Sequence, residues 1–124
     1  MPNKRRPVFL NLLQFRFPIP AIMSIIHRAS GAVMVLAVPL FLYLLEISLS
    51  GEAGFVRAAE ILDCGGVRFL LFFFIWGVIH HLLAGIRYLL IDFDIGVDRE
   101  TGTRSAWGVL VAAPILTLLL GAML

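Results

Sequence analysis

The sequence predicts an all-α integral membrane protein with three transmembrane helices. Composition is the first reason: of 124 residues, 60% are hydrophobic and only 15% charged, with a mean hydropathy of +0.99, far from the balance of a soluble domain. The second is the presence of three charge-free windows, Ala29 to Leu45, Phe69 to Ile86 and Ser105 to Leu124, of 17, 18 and 20 residues. With its flanking turns each can cross a hydrocarbon core about 30 Å thick, since a helix rises about 1.5 Å per residue. The third is punctuation, because the windows are separated by the glycine-bearing polar stretches "SLSGEAG" and "DFDIGVDRETGTR".

Each element has a local cause. The opening "MPNKRRPVFLNLLQFRFPIP" is basic but broken by prolines and lacks a small-residue cleavage site, so no removable targeting peptide is expected. Pro18 and Pro20 suit an extended lead-in and a first helical turn, which places the first helix at about 21–49. In the following loop, Phe55, Ala59 and Leu62 allow one or two amphipathic turns, ended by Gly65 and Gly66. A second helix is expected at about 67–91 and a third at about 105–124, with Ser105 as its N-cap and Pro114 as a kink that membrane helices accept. No internal repeat is visible, so residues 1–124 read as a single membrane-anchor domain. Three helices bury little of one another, which predicts a subunit of a larger assembly. The single cysteine, Cys64, excludes an internal disulfide and a thiolate cluster.

Lysine and arginine set the orientation, because they resist translocation. Lys4, Arg5, Arg6, Arg16 and Arg28 precede or open the first span, Arg87, Arg99 and Arg104 flank the second loop, and only Arg57 and Arg68 lie in the first loop. Eight against two predicts a cytoplasmic N-terminus and an outer first loop and C-terminus; a short chain in which no removable targeting peptide is expected fits a bacterial inner membrane. The net charge of +2 is mainly this orientation signal and does not point to nucleic acid.

Ionisable residues inside spans are costly unless paired or used. His27, Arg28, His80 and His81 all fall in the cytoplasmic halves of the first two spans, where they can face one another. Gly77, His81, Gly85 and Tyr88 share one helical stripe, so glycines one turn above and below His81 leave a shallow groove in which a flat macrocycle could approach an axial imidazole. On the residues alone, haem ligation, polar helix packing and a proton path all remain open for His81. His80 is rotated about 100° away beside Trp76 and Ala84 and reads as structural or interfacial. Two adjacent histidines without an acidic or thiol ligand do not suit zinc. Ser24, His27, Arg28 and Gly31 form a second stripe, where a hydroxyl and a guanidinium could hydrogen-bond a quinone oxygen, or where Arg28 could snorkel to lipid phosphate.

The stretches "SIIHRASG" (Ser24 to Gly31) and "HLLAGIRYLLID" (His81 to Asp92), with the three-span layout, resemble the cytochrome b membrane-anchor subunit of succinate dehydrogenase, or complex II. Two motifs on separate helices, S-x-x-H-R-x-[ST]-G and H-x-x-x-G-x-R-H/Y-x-x-x-D, carry the resemblance. It implies a three-helix anchor packed with a second membrane-anchor subunit, with haem b between them and His81 as one axial iron ligand. His27 and Arg28 match positions near the haem propionates, and Ser24 and Arg28 match quinone-binding positions. Electrons would arrive from succinate through a flavoprotein subunit and an iron–sulfur subunit, and ubiquinone would be the acceptor. The succinate chemistry would lie outside this chain. Tyrosine at position 88 and histidine at position 80 depart from some relatives. A fumarate-reducing anchor within the family, or a haem-free structural anchor, are the alternative readings.

The charge distribution yields one direct test. An impermeant thiol reagent applied to sealed right-side-out spheroplasts is expected to label Cys64 wherever no partner shields it; labelling only after permeabilisation would reverse the topology.

Overall fold

A computed structural model describes residues 16–123. Among them the chain is entirely helical, with four helices: α1 (Ile19–Leu49), α2 (Glu52–Asp63), α3 (Gly65–Asp92) and α4 (Arg99–Met123). Three of these, α1, α3 and α4, are long and apolar enough to span a membrane. The spans α1, α3 and α4 pack side by side. They run antiparallel, because His27 near the start of α1 meets His81 near the end of α3, while Phe41 further along α1 meets Phe74 nearer the start of α3 at 5.1 Å between ring centroids.

Helix α1 begins two residues before the expected position, because the carbonyl of Pro18 accepts from the amides of both Ala21 and Ile22 and draws Ile19 and Pro20 into the first turn. The first loop is more ordered than its sequence suggested. Gly51 adopts φ 123°, a conformation that L-residues rarely take, and releases α2 at once. Helix α2 ends at Asp63, where extended Cys64 breaks the path, so Gly65 and Gly66 open α3 and do not close the loop helix.

The start of the last helix also corrects the sequence reading. Asp98, not Ser105, is the cap: its carboxylate accepts the Thr101 amide at 2.8 Å, and α4 starts at Arg99. Those hydrogen bonds from Thr101 hold the Asp98 carboxyl below the usual carboxylate range. Just before it, Asp94 at φ 60° ends α3, with the amides of Asp94 and Ile95 returning to the carbonyls of Ile91 and Leu90 in a Schellman arrangement.

Ser105 has another task. It lies inside α4 and accepts the Nε–H of Arg87 at 2.8 Å, while Nη2–H of Arg87 donates to the Gly102 carbonyl at 2.8 Å. Arg87 is only 9% exposed, and its partners among the described residues are neutral oxygens. A buried guanidinium needs such partners to offset lost hydration. Close by, Met23, Ala84, Ala106 and Val109 make a tight core of mostly small side chains from all three spans.

Ser105→Ala is therefore expected to destabilise the α3–α4 pairing by about 1.5–3 kcal/mol, the range for a hydrogen bond to a charged group. Thermal unfolding of the purified assembly checks this, with Thr103→Ala, an exposed hydroxyl bonded within its own helix, as the near-neutral comparison.

Candidate functional site: the histidine pair between α1 and α3

His27 and His81 stack face to face, with ring centroids 4.0 Å apart and planes inclined by 13°. Tyr88, two turns after His81, closes the cluster edge-on to His27 at 5.2 Å. What fixes His81 is its Nδ1, which lies 3.0 Å from the backbone carbonyl oxygen of His27. A carbonyl can only accept, so Nδ1 carries a proton, and in the neutral ring Nε2 then keeps the lone pair. Ser30 reinforces the arrangement: its hydroxyl donates to the same carbonyl at 2.9 Å and its oxygen lies 3.2 Å from Nδ1 of His81.

The close approach depends on glycine. A Cβ on Gly31 would stand 2.9 Å from Cε1 of His81, closer than real Cβ contacts allow. On the facing helix, a Cβ at Gly77 would meet Ser30 at 3.7 Å and one at Gly85 would meet Nε2 of His27 at 3.8 Å. These two glycines thus receive the side chains of α1. The groove expected around His81 for a macrocycle is filled by helix contact, the alternative that small residues at four-residue spacing also allow.

The other expected site residues are distributed unequally. Of the Ser24–His27–Arg28–Gly31 stripe, His27 and Gly31 turn to α3, whereas Arg28 is exposed and Ser24 half-buried, neither with a hydrogen bond among the described residues. His80 is enclosed, 0% exposed, tilted against Trp76 at 6.0 Å between centroids. Neither of its ring nitrogens has a hydrogen-bond partner among the described residues. His81, by contrast, is only half-buried. Nε2 of His27 is buried without a partner among the described residues. Sequence reasoning missed Ser30 and Gly31 as the residues that seat His81; the signal was their position on the α1 turn that follows His27.

Comparison with known proteins decides the class. The sequence profile described as "Succinate dehydrogenase/Fumarate reductase transmembrane subunit" matches residues 2–120. The chain belongs to this family. It is 36% identical over 120 residues to the succinate dehydrogenase cytochrome b556 subunit of Coxiella burnetii, covering 96% of each chain. It is also similar to the protein of that name in Paracoccus denitrificans, at 27% identity over 92% of this chain and 88% of that one. The succinate dehydrogenase cytochrome b560 subunit of Reclinomonas americana is 28% identical over 94% of this chain and 85% of its own. As a transmembrane subunit of succinate dehydrogenase, the chain is a multi-pass component of an oxidoreductase complex, and the expected cytochrome b anchor class is borne out.

The seat of His81 can be tested without reference to any bound group. Gly31→Ala is expected to force the imidazole off the His27 carbonyl and cost about 1–3 kcal/mol, the usual price of overpacking. Gly108→Ala, with open space around its Cβ position, is expected to leave stability within about 0.5 kcal/mol. Thermal unfolding of the two variants checks the contrast.

Proposed function

We propose that this chain is one of two membrane-anchor subunits of a succinate:quinone oxidoreductase, and that it holds haem b through His81 and helps bind ubiquinone through Ser24 and Arg28. The observation that carries the reading is the hydrogen bond of His81 Nδ1–H to the His27 carbonyl. An imidazole whose Nδ1–H is held by a carbonyl is the usual form of a metal-ligating histidine, since the bond fixes both tautomer and ring plane. The incomplete burial of His81 supports an approach from outside this chain, and the enclosure of His80 speaks against it as the ligand. When bound, the haem supplies a one-electron carrier whose potential follows from its axial ligands and surroundings.

The chain's own residues do the rest. His27 braces His81 with its carbonyl and ring, and the exposed charge of Arg28 beside it suits the propionates. Ser24 and Arg28, on successive turns of α1, have no competing partners among the described residues. They can donate to a quinone oxygen as it gains negative charge, which a guanidinium favours. Reduction to quinol takes two electrons and two protons; the electrons derive from succinate, oxidised on a flavoprotein subunit, and come through an iron–sulfur subunit. Residues 1–124 form a single anchor domain in the bacterial inner membrane, with the N-terminus and the α3–α4 loop cytoplasmic.

His81→Ala is expected to abolish or strongly perturb the reduced-minus-oxidised haem spectrum of the assembled complex, with His80→Phe changing it little; the reverse pattern would move the ligand to His80. Ser24→Ala is expected to lower succinate-to-ubiquinone activity by about one to two powers of ten, for loss of one charge-assisted hydrogen bond. Succinate oxidation with an artificial acceptor upstream of the quinone site is expected to persist. Unchanged quinone reduction in fully assembled Ser24→Ala complex would place the pocket elsewhere.

A further inference from the structure

The apolar stripe Phe55, Ala59 and Leu62 is formed in α2 but not buried by this chain: Phe55 is 64% and Leu62 38% exposed, and Ala59 is exposed as well. At about 100° per residue, α2 presents three faces. Gly54, Ala58 and Ile61 point one way. Ala58 is 5% exposed, and a Cβ on Gly54 would collide with the carbonyl oxygen of Ile47 and with Ser50 Oγ, so this face is pressed onto the end of α1. Glu52, Arg57, Glu60 and Asp63, all exposed, occupy the side facing away. Phe55, Ala59 and Leu62 lie between, with no charge among them.

Position limits what can cover that stripe. Only Ser50 and Gly51 separate α2 from α1, and only Cys64 separates it from α3, so α2 cannot leave the end of the two spans. Toward the same end, Leu42, Leu45 and Leu49 of α1 and Phe69 and Phe73 of α3 are exposed apolar residues as well. The exposed Arg68–Asp63 ion pair, 3.2 Å long, marks a hydrated boundary at the α2–α3 corner. Exposed Tyr43 stands at this end of α1, where tyrosine favours the headgroup layer.

We propose that α2 is an interfacial helix whose Phe55–Ala59–Leu62 stripe rests on the acyl-chain boundary of the bilayer leaflet at this end of the bundle. It continues the lipid-facing surface of the spans and fixes the depth of the α1–α3 connection. The contact is apolar: three acids against one arginine give the polar face a net negative charge, which offers nothing to anionic headgroups.

Photo-crosslinking in the assembled complex tests this. p-Benzoylphenylalanine is introduced in place of Phe55 or Leu62, with Glu60 as the control position, and the complex is reconstituted into phosphatidylcholine vesicles with or without phosphatidylglycerol. After irradiation the chain is expected to gain the mass of one phospholipid at positions 55 and 62 and none at 60, with equal adduct yield in both vesicle types. A cross-link from position 55 or 62 to another subunit, no adduct at either, equal adducts at 60, or adducts only with phosphatidylglycerol would overturn the proposal. Position 62 decides the matter if replacement of Phe55 prevents assembly.

Discussion

The hydrogen bond from Nδ1–H of His81 to the backbone carbonyl of His27 is the constraint around which the α1–α3 contact is organised. It joins a side chain of one span to the main chain of another, so it holds only if the helices approach closely. That closeness explains Gly31 under the ring of His81, Gly77 under Ser30 and Gly85 under His27. In a membrane, where apolar side chains gain little by leaving lipid for one another, such packing and a few polar contacts supply the association energy. The same bond that ties the helices also determines which imidazole nitrogen is free, so assembly and chemistry depend on one geometry.

Arg87 performs the matching task between α3 and α4. Its guanidinium is satisfied by Ser105 and Gly102 and lies 5.7 Å from the centre of the Tyr88 ring, which in turn packs on His27. All three spans therefore converge at one end, where Met23, Ala84 and Ala106 leave room for these polar groups. At the other end the contacts are aromatic and apolar, with Phe41 on Phe74 and Phe72 beside Gly121. Polar chemistry and small residues are concentrated where the expected site residues lie.

Much of this was legible in the sequence, for reasons visible in particular residues. The windows between charges located the spans, and Pro18 with Pro20 located the start of the first to within two residues. The loop between the second and third spans misled, because Ser105 is as good a cap as Asp98 in isolation; a buried arginine one helix away claims it, and only tertiary structure reveals that. Gly65 and Gly66 looked like a helix stop, yet the stop came one residue earlier, at extended Cys64. The glycine stripe of α3 was recognised, but whether its groove faced a ligand or another helix depended on Ser30 and His27, which no pattern within α3 could disclose. The different settings of His80 and His81 agreed with their 100° separation, and the full enclosure of His80 followed from packing alone.

The most direct measurement is the protonation of the His81 ring, read by solid-state ¹⁵N NMR of the histidine-labelled protein in bilayers and assigned by its loss in His81→Gln. The hydrogen bond to the His27 carbonyl requires a protonated Nδ1, so the neutral ring must be the Nδ1–H tautomer with Nε2 bare. A proton on Nε2 with Nδ1 bare would mean that the carbonyl does not hold this ring, and both the seat of His81 and its availability as a ligand would have to be abandoned.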